Sequence, residues 1–236
     1  MRIFILSTYT VLAYTVLYPF TFLNVLVILL LNLFGLQKAI SKVLGFWAYG
    51  TFIIVGKFFS VTGRGNINKK RKYILMANHA SMFDIMGIMA ICPGISWFGR
   101  AHLLKIPAFG KVLEIINYIP MKSTDLRNAK HMIEQLIRKT ENQTVAIFPE
   151  GTRTKNGDMS SLRKGFLHVL KASKLDILPV SLIGFYEFNP KKRFYFDYSK
   201  KLSAKIHPPI PFSELEKLDD NEIINRVQSI IGSATS

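Results

Sequence analysis

The sequence predicts an α/β fold, a mixed and largely parallel sheet flanked by helices, behind an N-terminal membrane-embedded pair of helices. Two patterns in the 236 residues predict it. After residue 63, apolar runs of strand length alternate with segments of helix length, as they do in βα units. Before residue 63, the chain is strongly apolar and carries few charges. We therefore divide the chain into anchoring helices, residues 1–62, and a globular α/β domain, residues 63–236.

Apolar runs bounded by polar residues are the predicted strands of the globular domain. Strands are expected at 73–77, 94–98, 117–121, 144–148 and 177–183, and helices at 82–91, 106–116, 125–140 and 162–173. Two more strands at 193–198 and 202–206 and a final helix at 213–231 complete the domain. Ser213 and Glu216 are the expected capping residues of that last helix.

The apolar N-terminus is too long for one upright transmembrane helix. Residues 3–37 contain no charged side chain. One straight helix of this length extends about 50 Å, against a hydrocarbon core of roughly 30 Å. Pro19 therefore predicts a break, with helical pieces near 3–17 and 20–36. A second apolar stretch, 43–62, contains Trp47 and Tyr49, whose side chains suit a membrane interface.

Two arrangements of these helices fit the sequence, a re-entrant pair in one leaflet and a spanning hairpin. We prefer the re-entrant pair, because the basic residues at positions 2, 38, 42 and 57 can then all lie on the cytoplasmic side. A secretory signal peptide is the alternative for this segment. The apolar stretch is too long for one and lacks an Ala-x-Ala cleavage site.

Charge and cysteine content narrow the class of protein. Hydrophobic residues make up 49% of the chain, and the net charge is +16. Nine basic residues precede the first acidic residue, Asp84, and such a surface attracts anionic lipid head groups. Nucleic acid is the rival partner, but the basic residues flank apolar segments and no nucleic-acid motif is present, so none is expected. The single cysteine, Cys92, excludes an internal disulfide and fits a reducing compartment.

The first motif is Asn78-His79-Ala80-Ser81-Met82-Phe83-Asp84, directly after a predicted strand. Five residues on a regular helix leave side chains about 140° apart, so His79 must precede the helix to meet Asp84. With Ser81 as N-cap and Asp84 at N3, the carboxylate can reach back to the imidazole and make His79 a general base. The alternative is that Asp84 only caps the helix. No further ligands lie at metal spacing nearby, so no metal site is expected.

The second motif, Phe148-Pro149-Glu150-Gly151-Thr152-Arg153, follows the strand predicted at 144–148. The carboxyl end of a strand is where α/β proteins gather ligand sites. Gly151 permits close backbone approach, and the Arg153 guanidinium matches phosphate oxygens. The motif therefore predicts a phosphate site, unless Glu150 and Arg153 only form a surface ion pair at a turn.

Together the two motifs, about 70 residues apart, resemble the 1-acyl-glycerol-3-phosphate acyltransferase family. The resemblance covers about residues 70–183, and the N-terminal helices look like the two-helix anchor of bacterial members. It implies the glycerolipid acyltransferase fold, with His79 and Asp84 as the catalytic pair. It also implies a substrate-binding group that consists of Glu150, Gly151, Thr152, Arg153, Lys122 and Lys105. Lys122 departs from the family, which usually has Arg after the apolar strand, and loses bidentate geometry.

The reaction implied by the resemblance is acyl transfer from acyl-CoA or acyl carrier protein to the sn-2 hydroxyl of lysophosphatidic acid, giving phosphatidic acid. No covalent acyl-enzyme and no cofactor besides the thioester donor is expected. Another acceptor, such as glycerol-3-phosphate or another lysophospholipid, remains open, as does a non-catalytic protein that binds membranes. The implied location is the cytoplasmic face of the bacterial inner membrane, in contact with the phospholipid bilayer.

Overall fold

A computed structural model describes residues 1–121 and 143–235 of the protein. Within these residues, a seven-stranded mixed sheet forms the centre. The strands are β1 (Phe59–Thr62), β2 (Tyr73–Ala77), β3 (Ser96–Arg100), β4 (Ile119–Met121), β5 (Val145–Ile147), β6 (Asp176–Ile183) and β7 (Leu202–Ile206). Their order is β1-β7-β6-β2-β5-β3-β4. β2 to β6 run parallel, whereas β7 is antiparallel to β6 and pairs in parallel with β1. The predicted mixed, largely parallel sheet is confirmed.

Helices cover both faces of the sheet. They are α1 (Arg2–Leu33), α2 (Gln37–Ile54), α3 (Asp84–Ile91), α4 (Phe109–Ile115), α5 (Gly165–Ser173), α6 (Phe185–Phe188), α7 (Phe212–Leu215) and α8 (Asp220–Gly232), with 3₁₀ turns at Arg64–Asn66 and Ala101–Lys105. Successive β2 side chains enter two different cores, as the period of a strand requires. Leu75 packs towards α1 to α4, and Ile74 packs towards α5 and α8. The helix expected at 125–140 lies outside the described residues.

The first helix is continuous through Pro19, so the predicted break there is wrong. Packing on α2 directly after the proline outweighs the one hydrogen bond that its ring removes. Trp47 donates from Nε1 to Thr21 Oγ1 at 3.0 Å, and Phe20 lies over Gly50, where a Cβ would stand 2.5 Å from the ring. Trp47 therefore serves the contact between α1 and α2. Helix α1 is long and apolar enough to cross a membrane, by length and composition.

The strand predicted at 193–198 is wrong, because this segment is an irregular loop. Its backbone finds partners outside the sheet: Asp197 N donates to Phe188 O, and Phe196 N donates to Thr10 Oγ1 on α1. Phe196 itself is fully buried. The apolar residues that suggested a strand instead fill the contact between α1 and the domain.

The single C-terminal helix predicted at 213–231 is also wrong, since the chain forms α7 and then α8. Asp219 accepts hydrogen bonds from the backbone N–H groups of Asn221 and Glu222, and the Glu222 carboxylate accepts one from Asp219 N. This capping box starts a new helix at Asp220. At the other end of the domain, the sheet begins at Phe59, before the predicted boundary at residue 63.

Candidate active site

The two sequence motifs meet at the carboxyl edge of the sheet. β2 and β5 are neighbours and parallel, with Met76 opposite Ile147. The motif at 78–84 follows β2, and the motif at 148–153 follows β5. Because parallel strands end at the same edge, residues 71 positions apart in the chain come into hydrogen-bond contact there. The register between these two strands therefore assembles the site.

His79 and Asp84 form the predicted pair. The distance from His79 Nδ1 to Asp84 Oδ2 is 2.8 Å, and Asp84 is fully buried. The same oxygen accepts hydrogen bonds from the backbone N–H groups of Ala80 at 2.6 Å and Ser81 at 2.8 Å. With Nδ1 held by the carboxylate, Nε2 is the ring nitrogen that is free to take a proton from a substrate. This is the arrangement of a histidine general base and its orienting acid.

The helix after His79 begins later than predicted. Asp84 is its first residue and Phe83 its N-cap, so the assignment of Ser81 to N-cap and Asp84 to N3 is wrong. Ser81 is engaged elsewhere: its hydroxyl donates to Asn189 O at 2.8 Å, and its backbone forms a bridge with Pro190. The carboxylate still turns back to the histidine, because the N–H groups of residues 80 and 81 hold it there.

The backbone of His79 is held on both sides by the second motif. Its N–H donates to Glu150 Oε1 at 2.6 Å, and its carbonyl accepts from the N–H of Thr154 at 2.8 Å. The other Glu150 oxygen accepts from Ser160 N at 2.7 Å. Glu150 is 2% exposed, so it faces the protein and not a substrate. Within this structure Glu150 positions the histidine.

Burial also sets the acidity of Glu150. Loss of solvent raises the pKa of its carboxyl above the ordinary value, and the hydrogen bonds from the His79 and Ser160 N–H groups partly offset this. The two N–H donors favour the ionised form, in which both oxygens accept. These hydrogen bonds reduce the rise in the pKa but do not cancel it, so the net effect of folding is a raised pKa.

Aromatic rings pack against one face of the His79 imidazole. The His79 ring stacks on Phe148 with centroids 4.1 Å apart and an angle of 11° between the planes. Trp97 of β3 lies against the same phenyl ring, with centroids 5.5 Å apart. The imidazole is thus fixed by Asp84 at one edge, by Phe148 on one face and by its own backbone. Such a ring has little rotational freedom left, and that pre-organises Nε2.

Gly151 occupies a position that requires glycine. Its φ of +69° lies in the left-handed region, and a Cβ there would stand 2.9 Å from Cδ and Nε of Arg163. Arg163 Nε donates to the carbonyl of Glu150 at 3.2 Å. The glycine lets this arginine pass over the turn and fix it.

The remaining predicted binding residues lie at the same edge. Thr152 and Arg153 are partly exposed, Lys105 is exposed at the end of a 3₁₀ turn after β3, and none of them forms an ion pair or a side-chain hydrogen bond among the described residues. They are thus available to an anionic ligand. Lys122 lies outside the described residues. Within residues 1–121 and 143–235, no three His, Cys, Asp or Glu side chains lie close enough to hold a metal ion.

Sequence reasoning did not identify several residues that build this site. Phe148 enters the prediction only as the first residue of the second motif, and no predicted motif contains Ser160, Arg163 or Asn189. For Phe148, its place directly before the Pro-Glu-Gly turn was a usable signal. For the other three, the contacts depend on how distant loops fold back, and no local pattern marks them.

Comparison with known proteins agrees with this architecture. The sequence model of the acyltransferase family matches residues 58–183. The 1-acyl-sn-glycerol-3-phosphate acyltransferase alpha of Ovis aries is 26% identical over 217 residues, which cover 88% of this chain and 73% of the relative. The 1-acyl-sn-glycerol-3-phosphate acyltransferase of Borreliella burgdorferi is 28% identical over 201 residues, covering 84% and 77%.

A solved structure extends the likeness to the whole chain. The crystal structure of the 1-acyl-sn-glycerophosphate (LPA) acyltransferase PlsC from Thermotoga maritima superimposes with a TM-score of 0.79 at 25% identity. The match covers 99% of this chain and 96% of that one, N-terminal helices included. The matched family segment contains His79, Asp84 and the turn at 148–153. This chain belongs to the acyltransferase family.

Proposed function

We propose that the protein transfers a fatty acyl group from an acyl thioester to the sn-2 hydroxyl of lysophosphatidic acid, which gives phosphatidic acid. The observation that carries the proposal is the His79–Asp84 pair, with Nδ1 and Oδ2 2.8 Å apart. Glu150, in the turn at 148–153, holds the backbone N–H of His79. Three of the compared relatives carry names that state this acceptor. A bare membrane-binding protein has no need of a buried carboxylate that orients a histidine.

The reaction proceeds without a covalent enzyme intermediate. Nε2 of His79 takes the proton of the acceptor hydroxyl as its oxygen attacks the thioester carbon, and the C–S bond then breaks. The new C–O bond is the ester, and the thiolate leaves with the proton that His79 held. Asp84 stabilises the imidazolium between these two transfers. The thioester is itself the substrate, so no further cofactor is needed.

Basic side chains at the carboxyl edge are the proposed contacts of the acceptor phosphate. Arg153 lies three residues after Glu150, partly exposed and with no acidic partner among the described residues. Its fork of donors suits a phosphate monoester. Lys122 and Lys105 are proposed to add positive charge there, for the acceptor or for the donor. The donor is acyl-CoA or acyl carrier protein.

The helical pair α1–α2 is proposed to lie in one leaflet and not to span the bilayer. Helix α1 has a stripe of buried residues along its length: Thr10, Ala13, Leu17, Asn24 and Ile28. It contacts the globular domain near Phe196 and again at α4. A helix that crossed the membrane would leave the domain instead. Its other face exposes large apolar side chains such as Phe4, Phe22 and Leu30.

We infer that the site lies at the membrane surface, because Tyr14 of α1 contacts Met82, three residues from His79. A lipid acceptor in the leaflet then reaches the histidine without leaving the bilayer. We propose the cytoplasmic face of the bacterial inner membrane as the location, with lysophosphatidic acid, the acyl donor and the bilayer as partners.

The test is an acceptor competition with purified protein in phospholipid vesicles. Lysophosphatidic acid, glycerol-3-phosphate and lysophosphatidylcholine are offered together, once with acyl-CoA and once with acyl carrier protein thioester. We expect labelled phosphatidic acid to be the main product with at least one donor. A main product from either other acceptor would overturn the proposed acceptor and leave acyl transfer intact, whereas no product with any pair would overturn the reaction.

A further inference from the structure

One loop connects the catalytic turn to the first membrane helix. We call residues 188–197 the strap and residues 79–83 the catalytic turn. Ser81 of the turn donates its hydroxyl hydrogen to the carbonyl of Asn189 at 2.8 Å. The backbones of Ser81 and Pro190 also form an antiparallel bridge. Ser81 is fully buried, so this contact is inside the protein and not at its surface.

The other end of the strap is fixed to α1. The N–H of Phe196 donates to Thr10 Oγ1 at 2.8 Å, and the Thr10 hydroxyl donates to Leu6 O at 2.7 Å. Thr10 is fully buried, although most of the helix faces outward. The Tyr14 ring packs on Phe196 one turn further along, with centroids 5.1 Å apart. A buried hydroxyl of α1 thus bonds to a loop of the catalytic domain.

The strap is itself tightly braced. The Arg193 guanidinium donates to the carbonyls of Glu187, Phe188 and Tyr195. Asn189 Nδ2 donates to Arg193 O at 3.1 Å. Because these hydrogen bonds keep the shape of the strap, a displacement of one end also displaces the other end.

Aromatic packing also connects the catalytic turn to the strap. Phe83 lies edge-on to Phe188 and Phe196, with centroids 5.0 and 5.3 Å apart, and those two rings stack at 4.8 Å. All three are fully buried. Phe83 directly precedes Asp84, so this cluster also ends at the catalytic pair.

We propose that the strap makes α1 a part of the active-site scaffold and that Thr10 is a positioning residue for His79. The Ser81 N–H is one of the donors that hold the Asp84 carboxylate against the imidazole. A shift of the turn therefore changes where Nε2 points, and a misplacement of about 1 Å costs on the order of a hundredfold in rate. The inference rests on the proposed function in one respect, namely the reaction in which His79 takes part.

The experiment compares four single variants of the full chain in vesicles: Thr10→Val, Thr10→Ser, Thr15→Val and Arg193→Lys. Thr10→Val keeps the shape of the side chain but removes the acceptor of Phe196 N, and Thr10→Ser restores it. Thr15→Val is the matched control, because Thr15 makes the same type of bond, to Val11 O at 2.9 Å, but is exposed and has no hydrogen bond to the strap among the described residues. Steady-state kcat and KM, vesicle flotation and amide hydrogen exchange of peptides that cover 79–84 are measured.

We expect Thr10→Val to lower kcat about tenfold, with KM and flotation unchanged, and to speed exchange in the 79–84 peptides about tenfold. Thr10→Ser should lie within about twofold of the unmodified protein, and Thr15→Val should match it. Arg193→Lys is a second test of the strap in case Thr10→Val folds poorly. A lysine cannot bond to all three carbonyls, so we expect the same decrease in kcat and the same faster exchange at 79–84.

Unchanged exchange at 79–84 in both Thr10→Val and Arg193→Lys would overturn the proposal. A loss of kcat that only follows a loss of flotation would also overturn it, since α1 would then act as an anchor alone. The exchange measurement needs no substrate. If the unmodified protein shows no acyl transfer, the proposed function fails while the strap is still tested.

Discussion

At the scale of single residues, one oxygen of Asp84 holds both the histidine and the turn that carries it. Oδ2 accepts from Nδ1 of His79 and from two backbone N–H groups, whereas Oδ1 has no partner among the described residues. Charge and geometry are therefore separable at this position. An asparagine can place its carbonyl oxygen where Oδ2 lies, but it carries no charge to stabilise an imidazolium.

We expect Asp84→Asn to lower kcat by roughly 10³ to 10⁴ while the protein remains folded, because orientation persists and the stabilising charge is lost. Asp84→Ala should lose a similar factor and also about 1–3 kcal/mol of stability, since two buried N–H groups lose their acceptor. Turnover in vesicles and thermal unfolding in detergent check the two effects. Equal stability of both variants would contradict the role of Oδ2 in the turn.

Glu150→Gln tests the bond between the two motifs. An amide has one acceptor oxygen, so either His79 N–H or Ser160 N–H then faces an NH₂ donor. We expect a loss of about 1–3 kcal/mol in stability and a fall in kcat without a comparable rise in KM. Wild-type kcat in this variant would show that Glu150 does not position the histidine.

The raised pKa of Glu150 also predicts a pH dependence. In the folded protein this carboxyl binds its proton more tightly than in the unfolded chain. Its contribution to stability is therefore complete below the ordinary glutamate pKa and decreases as the pH rises through the folded value. Unfolding free energies of the wild type and Glu150→Gln, measured from pH 4 upward, should converge as the pH rises. A gap that widens with pH would contradict this sign.

A side-chain contact is predictable from the sequence where its two partners are close in the chain. His79 and Asp84 are five positions apart, and helical geometry alone requires the turn between them. The role of Glu150 was beyond reach, because its contact with His79 depends on the register of β2 and β5 across 71 positions. An ion pair between Glu150 and Arg153 was the local alternative, but Glu150 points inward instead.

At the scale of elements, local rules were right for β2, whose predicted range is observed, and failed wherever a distant partner decided the outcome. Pro19 predicts a break in an isolated helix, but the contact with α2 keeps α1 continuous. The 193–198 segment has strand-like composition, but its N–H groups bond to α1 and to Phe188. The capping box at Asp219 has a local signature, although the sequence reading placed the cap at Ser213.

The cap of α8 gives a prediction that separates stability from activity. Asp219→Ala removes the acceptor of two backbone N–H groups and should destabilise the protein by about 1 kcal/mol. α8 covers the sheet face opposite α1 to α4, so kcat should not change. Thermal unfolding and turnover of the same preparation check this, and a parallel loss of kcat would show that α8 influences the site.

At the scale of the whole molecule, α1 and α2 expose many large apolar side chains. Phe22 and Leu23 on α1, Phe46 and Ile53 on α2 and Phe58 beside β1 are all more than half exposed. A soluble monomer rarely exposes an apolar surface of this kind. The net charge of +16 adds attraction to anionic lipid. Both features support the proposal that α1 and α2 lie in a leaflet.

We expect Leu23→Asp to weaken binding to anionic vesicles at least tenfold, since it removes roughly 1.5–3 kcal/mol of apolar burial and adds a repelled charge. Asn221→Asp, which adds the same charge on α8, should bind as the unmodified protein does. Flotation of both variants on the same vesicles is the measurement. Equal loss in the two variants would mean that net charge, and not the apolar face, determines binding.

In the proposed reaction His79, oriented by Asp84, removes the proton of the acceptor hydroxyl. Its most direct test is acyl transfer by His79→Ala in lysophosphatidic acid-containing vesicles, with flotation measured on the same sample. We expect turnover to fall by about 10² to 10⁴ while vesicle binding is unchanged. Turnover equal to that of the unmodified protein would contradict the general-base assignment.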